Sequence, residues 1–138
     1  MTNKQDFGGV WRSRYTYTSS GRGGEFTNDH YVRLHWSDNQ LVVETLPKVN
    51  RSYVVMRLSL DGAVATGNWQ EETDPAGYYQ GAKYYGAIQF VIDADKKHMA
   101  GKWVGFGKDS EVNTGPWELT YVGERVPTEP PQFAVKSA

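Results

Sequence analysis

The most regular pattern in the chain lies at residues 53–72, YVVMRLSLDGAVATGNWQEE. Apolar and polar side chains alternate on both sides of Asp61-Gly62, which is the period of a strand with one buried face. Asp-Gly between two apolar strands is a strong signal for a β-hairpin. The pattern therefore predicts two antiparallel strands, 53–60 and 63–72.

The same period continues on both sides of this hairpin. It predicts six further short strands, at 10–18, 30–36, 41–46, 84–92, 99–106 and 112–121. A flat sheet of eight strands would expose two edges and one apolar face, and closing the sheet removes both problems. We therefore expect an all-β protein with a single eight-stranded antiparallel up-and-down β-barrel. A two-sheet sandwich is the alternative.

The length of 138 residues corresponds to one domain. We expect the barrel to occupy residues 1–122. Residues 123–138 contain three prolines and a single aromatic residue, Phe133, which is typical of a flexible C-terminal tail.

Charge and composition exclude several classes of protein. The net charge is −1, so we expect no direct binding of nucleic acid. The chain has no cysteine, which excludes disulfides, thiolate zinc sites and cysteine nucleophiles. The three histidines lack metal-ligand spacing, and we expect neither a metal nor a cofactor. No apolar run reaches the length of a membrane span and the N-terminus is polar, which predicts a cytoplasmic protein without membrane contact.

Aromatic residues dominate the predicted lumen. Alternation places all five tryptophans inside the barrel or at its rims, with Tyr15 and Tyr17 beside them. Two interpretations remain open: the rings fill a core, or they wall a cavity. In the second interpretation Gly67, Gly101 and Gly105 would leave slots beside the rings for a planar ligand.

Polar residues on the same face predict how a ligand would be oriented. Ser13, Glu44, Glu71 and Asn113 point inward in this register, and a buried carboxylate is costly unless it is paired or binds a ligand. The loop at 73–83 adds tyrosines that resemble a lid. The candidate ligand-binding residues are Trp11, Ser13, Tyr15, Tyr17, Trp36, Trp69, Glu71, Tyr78, Tyr79, Trp103, Asn113 and Trp117.

Short motifs resemble the calycins, the group of barrels that includes lipocalins and avidins. Gly9-Val10-Trp11 is similar to the G-x-W of lipocalins, whose tryptophan plugs the closed end of the barrel. Gly101-Lys102-Trp103-Val104-Gly105 and the run 113–120, NTGPWELT, resemble an avidin pattern. The run has one extra residue before Trp117, and no equivalent of the last avidin strand follows. The resemblance implies a calycin-like barrel.

A second resemblance covers nearly the whole chain. Ser19-Ser20-Gly21-Arg22, Ala65-Thr66-Gly67 and the run 77–82, GYYQGA, look like an uncharacterised actinobacterial β-domain. That domain often follows a helix-turn-helix module in regulators. The resemblance implies a sensory or ligand-binding domain. It implies no DNA binding here, because this chain has no helix-turn-helix.

These patterns favour a non-catalytic barrel that binds a small, partly aromatic or amphipathic molecule as a sensor or carrier. The first alternative is a protein-interaction module with a filled core, which would use the tyrosine-rich loop 73–85 to bind a protein partner or to form a homodimer. Arg12 and Arg14 would suit an anionic surface partner. An enzyme is the third interpretation, but no nucleophile elbow is present, and Glu71 and Glu72 point to opposite faces.

Overall fold

The computed structural model describes residues 7–18, 24–46, 53–72, 83–106 and 112–127, and these form eight β-strands. The strands are β1 (Gly9–Thr18), β2 (Glu25–Ser37), β3 (Gln40–Thr45), β4 (Tyr53–Asp61), β5 (Val64–Glu72), β6 (Lys83–Ile92), β7 (His98–Phe106) and β8 (Val112–Gly123).

The strands form one closed barrel in chain order, and every pairing is antiparallel. Closure is made between β1 and β8, where Trp11 pairs with Tyr121 and Tyr15 with Trp117. This confirms the predicted all-β, up-and-down, eight-stranded barrel, and it excludes the two-sheet sandwich.

Two strands, β2 and β8, exceed their predicted length by more than one residue. β2 begins at Glu25 rather than residue 30, because Phe26 and Asn28 continue the inward period opposite Tyr17 and Tyr15. The glycines at 21, 23 and 24 are typical of a loop, so the sequence alone places the start of this strand later. β8 continues to Gly123, one residue into the predicted tail; most of that tail, 128–138, lies outside the described residues.

The hairpin of β4 and β5 turns one residue later than Asp61-Gly62 suggests. Asp61 pairs with Val64, so Gly62 and Ala63 form the two-residue turn. Gly62 has a φ of 61°, which glycine adopts without steric cost, and a turn with glycine first needs no positive φ at Asp61. The predicted inward face is unaffected: Met56 and Leu58 lie inside and are fully buried.

The two ends of the barrel are connected differently. At one end, two-residue turns join β2 to β3 and β4 to β5, and residues 93–97 join β6 to β7. The other end is where the chain passes through 19–24, 46–52, 73–82 and 107–111 between strands. We call these the short-turn end and the open end.

Apolar side chains close the short-turn end. Trp11 is fully buried there; its indole N–H donates to the Phe7 carbonyl at 3.0 Å, and its ring meets Tyr121 edge-on at 5.8 Å between centroids. The Lys97 ammonium lies 3.9 Å from the Tyr121 ring centroid. Such a cluster removes a large apolar area from water and stabilises the barrel without placing a charged group in its own contacts inside the lumen.

Candidate functional site

Four aromatic rings form a cluster in the lumen towards the open end. The ring centroids of Tyr15 and Trp117 are 4.4 Å apart. The Trp69 ring meets Trp117 and Trp103 edge-on, with centroid distances of 5.8 and 5.6 Å. All four side chains are buried. Edge-on and offset contacts are the favoured geometry for aromatic pairs, so this cluster is a rigid floor for whatever lies above it.

The three indole N–H groups of this cluster are used within the protein. Trp69 donates to the Ala87 carbonyl at 3.1 Å, and Trp103 donates to the Thr16 carbonyl at 3.0 Å. Trp117 donates to the Ser13 hydroxyl at 2.8 Å. These bonds fix the rings in place. The tryptophans therefore present carbon surface, rather than N–H donors, to the lumen.

The glycines accommodate these rings and the neighbouring strands, which corrects the predicted ligand slots. A Cβ added at Gly105 would lie 2.6 Å from the Trp69 ring. At Gly67 and Gly101 it would collide with the backbone carbonyls of Arg57 and Gln89. The space beside these three glycines is therefore filled by protein, and a planar ligand cannot lie there.

A polar chain lies directly above the floor. The Tyr15 hydroxyl donates to Glu71 Oε2 at 2.7 Å, and Asn28 Nδ2 donates to the Tyr15 oxygen at 2.9 Å. The alternation of β1, β2 and β5 aims all three side chains inward. Glu71 pairs with Val54 on one side and Tyr84 on the other, so its neighbours on the adjacent strands are apolar or aromatic.

Burial shifts the pKa values of Glu71 and Tyr15, the two titratable groups of this hydrogen-bonded chain. It raises the pKa of Glu71, although the hydrogen bond from Tyr15 lowers it in part. Burial raises the pKa of Tyr15 well above its usual value, and the nearby Glu71 charge adds to the shift. Both shifts favour neutral groups. The site thus holds a carboxyl group whose charged form is disfavoured by its burial in the barrel.

The side chains of the site that lie nearest the open end keep part of their surface exposed. Glu71, Asn28, Tyr17 and Tyr84 face the lumen and are half-buried, whereas the rings of the floor below them are buried. Tyr17 stacks on Phe26 at 5.7 Å between centroids and forms part of the wall. A molecule entering here would meet the tyrosine rings and the Glu71–Tyr15–Asn28 chain first.

The predicted site residues fall into separate groups. Tyr15, Tyr17, Trp69, Glu71, Trp103 and Trp117 come together at the open end, with Ser13 beneath Trp117 and Asn113 exposed at the rim. Trp11 and Trp36 face the lumen at the short-turn end, away from this group. Tyr78, Tyr79 and residues 73–82 of the predicted lid at 73–83 lie outside the described residues; the last residue of the predicted lid, Lys83, begins β6.

Glu44 does not face the lumen, which corrects its predicted orientation. It pairs with Arg33 on the outer surface, and its carboxylate lies 3.4 Å from both His35 Nε2 and the Tyr53 hydroxyl. The apolar run at 41–43 obscures the parity of β3: Val42 faces outward with Glu44 and is nevertheless buried.

Sequence reasoning missed two inward polar residues on β2. Asn28 belongs to the polar chain, and His30 is buried opposite Ser13. Burial lowers the pKa of His30 to about 4, against the opposing influence of Asp29. The available signal was the period itself, because residues 28 and 30 share parity with Val32, Leu34 and Trp36.

Arg12 and Arg14 are not a free basic strip. Both pair with Asp29, which points away from the lumen and is fully buried. Arg14 Nε and Nη2 donate to the two carboxylate oxygens at 3.0 and 3.1 Å, and Arg12 Nη2 lies 3.1 Å from Oδ2. Bidentate bonding of this kind fixes the positions of the guanidinium and the carboxylate relative to each other.

Comparison with known proteins gives no assignment: no protein-family model matches the chain, and no curated protein matches it significantly. In the part of the chain that the structure describes, no three His, Asp or Glu side chains are grouped so that they could hold one metal ion. Likewise, no helix within these residues is long and apolar enough to cross a membrane. The closed eight-stranded barrel is compatible with a calycin-like fold.

Proposed function

We propose that the barrel is a non-catalytic binding protein for a small, partly aromatic or amphipathic molecule, acting as a sensor or carrier. The ligand would enter at the open end and lie over the floor of Tyr15, Trp69, Trp103 and Trp117. Its apolar part would be bound by burial against the rings, and its polar part by the Glu71–Tyr15–Asn28 chain.

One observation carries this proposal: a half-buried carboxyl group sits among aromatic rings at the open end. At the opposite end the described side chains that close the lumen, Phe7, Trp11 and Tyr121, are uncharged, so closure of the barrel does not by itself require a carboxyl group in the lumen. Polar groups enclosed at a cost to stability are frequent at binding sites. Membership of the calycin group, or of the actinobacterial β-domain that the motifs resemble, belongs to the same proposal.

Native mass spectrometry of gently purified protein tests the proposal. We expect a mass above that of the chain, with the excess lost on denaturation. Binding to the native state adds RT ln(1 + [L]/Kd) to stability, so the released molecule should also raise the melting temperature when returned. A Trp117→Ala variant should lose the added mass. Bare chain from several growth conditions, with no shift from any extract, would contradict the proposal.

A second candidate function is self-association through the outer face. Phe106 on β7 pairs with Tyr85 on β6 and with Val112 on β8, and Tyr85, Phe106 and Val112 are 51%, 53% and 71% exposed. A second copy presents the same row, so two rows can pack against each other around a two-fold axis. Sedimentation should show a dimer that Phe106→Glu dissociates and Val91→Glu, elsewhere on β6, does not. A monomer at all concentrations would exclude it.

A further inference from the structure

The Glu71 carboxylate lacks a positive counter-charge among the described residues. Its hydrogen bond there comes from the uncharged Tyr15 hydroxyl, and no described basic side chain forms an ion pair with it. Asp29 is the contrast, since two guanidinium groups hold it. A carboxylate withdrawn from water without a cation is destabilised, and a cation placed beside it removes much of that cost.

The rings around Glu71 also favour positive charge. The faces of tyrosine and tryptophan rings carry negative potential and attract cations within about 6 Å of their centres. Tyr15, Tyr17 and Tyr84 lie on the strands that face Glu71 across the lumen or beside it. The three indole N–H groups, which could have bound an anion, are already bonded to protein oxygens. The described site therefore has attraction for a cation and few donors for an anion.

We infer that the ligand is an organic cation, an amine or quaternary ammonium on an apolar body, whose charged nitrogen lies against Glu71 and the surrounding tyrosine rings. This inference rests on the proposed function and adds the charge class of the ligand. The apolar body would lie on the Trp69 and Trp117 floor, and the cation would supply the counter-charge that the fold does not.

Three probes of similar shape and different charge test the inference: 2-phenylethylamine, 2-phenylethanol and 3-phenylpropionate. Binding is followed by tryptophan fluorescence at neutral pH. We expect the amine to bind about tenfold more tightly than the alcohol, which is the size of one cation–π contact with a partly desolvated ion pair. The propionate should bind most weakly.

Two glutamine substitutions separate the local charge from the net charge. Glu71→Gln keeps the side-chain shape and an acceptor for Tyr15, and it should reduce the amine-to-alcohol ratio to about one. Glu72→Gln changes the net charge equally, but residue 72 is exposed and points out of the barrel, so the ratio should persist.

The outcomes distinguish this inference from the proposed function. A preference for the amine that Glu71→Gln removes and Glu72→Gln retains supports the inference. Equal or tighter binding of the alcohol or the propionate overturns it while leaving a small-molecule site in place. Absence of binding by all three probes at millimolar concentration also overturns it. The proposed function itself is rejected separately, by bare chain in the native mass spectra.

Discussion

The two ends of the barrel use aromatic residues in opposite ways. At the short-turn end Trp11 is sealed between Phe7 and Tyr121, and its one polar atom is satisfied by a backbone carbonyl. At the open end Tyr15 turns its hydroxyl towards a carboxyl group and holds it in the lumen. The first arrangement explains stability by itself. The second adds an electrostatic cost that closure of the barrel does not require, and the proposed binding role rests on this difference.

The largest expected effect lies at the short-turn end. Trp11→Ala should lower the free energy of unfolding by about 3–5 kcal/mol, because it removes a fully buried ring and leaves a cavity. Denaturant unfolding measures the loss. Trp36→Ala, at the same end but half-buried, is the matched control and should cost less. A loss below about 1 kcal/mol for Trp11→Ala would show that Trp11 does not plug this end.

The next prediction concerns the acid sensitivity of the fold, and it tests whether water is excluded from the middle of the lumen as it is from the short-turn end. His30 has an ordinary pKa of 6.5 and a pKa of about 4 in the fold, so the unfolded chain takes up a proton first. Its contribution to stability is complete above pH 6.5 and is lost as the pH falls towards 4. The loss amounts to roughly 3 kcal/mol.

Unfolding by urea between pH 4 and 7 measures this loss. His30→Gln, which keeps a polar side chain but cannot be protonated, should remove most of the slope. An unchanged slope in that variant would assign the acid sensitivity to other groups and would mean that His30 titrates normally.

The contrast between the ends shows which features of the barrel can be predicted from the sequence. Alternation alone predicted eight strands, their order and the inward position of every tryptophan, because a half-buried strand imposes period two on side-chain polarity. It failed at Glu44, where three consecutive apolar residues conceal the parity of β3. Alternation also does not show how far along the barrel axis a side chain lies. It therefore groups Trp11 and Trp36 with Trp69, although they lie at the other end.

The glycines show a second limit. The sequence places Gly67, Gly101 and Gly105 two residues from a tryptophan on the same strand. A missing side chain there is compatible with empty space or with a neighbour that fills it. The structure shows the latter at Gly105, where the Trp69 ring lies, and at Gly67, where a carbonyl of β4 approaches. That distinction depends on ring orientation and strand coiling, which alternation does not specify.

The next prediction compares the loss of stability when one tyrosine hydroxyl is removed at each end of the barrel, and the expected effect is smaller. Tyr15→Phe removes the donor to Glu71 and the acceptor for Asn28, and leaves both groups without this partner in the lumen. It should cost about 1–2 kcal/mol. Tyr121→Phe should be nearly neutral, because that hydroxyl makes one long bond, 3.4 Å, to the exposed Glu124. Equal losses in thermal unfolding of the two variants would remove the proposed difference between the ends.

The smallest effect is also the most specific for the open end. Since burial raises the pKa of Glu71 above its ordinary value of 4.5, its neutral form favours the fold; this contribution is present below pH 4.5 and is lost as the pH rises. Glu71→Gln should therefore be slightly more stable than the unmodified protein at pH 7 and equal to it near pH 4. The gain should be smaller than the loss in Tyr15→Phe, because glutamine keeps the acceptor for Tyr15. Glu72→Gln, on the outer surface, should show no such pH dependence. If Glu71→Gln instead destabilises the ligand-free barrel at pH 7, the carboxylate contributes to folding, and the case for a binding role loses its main support.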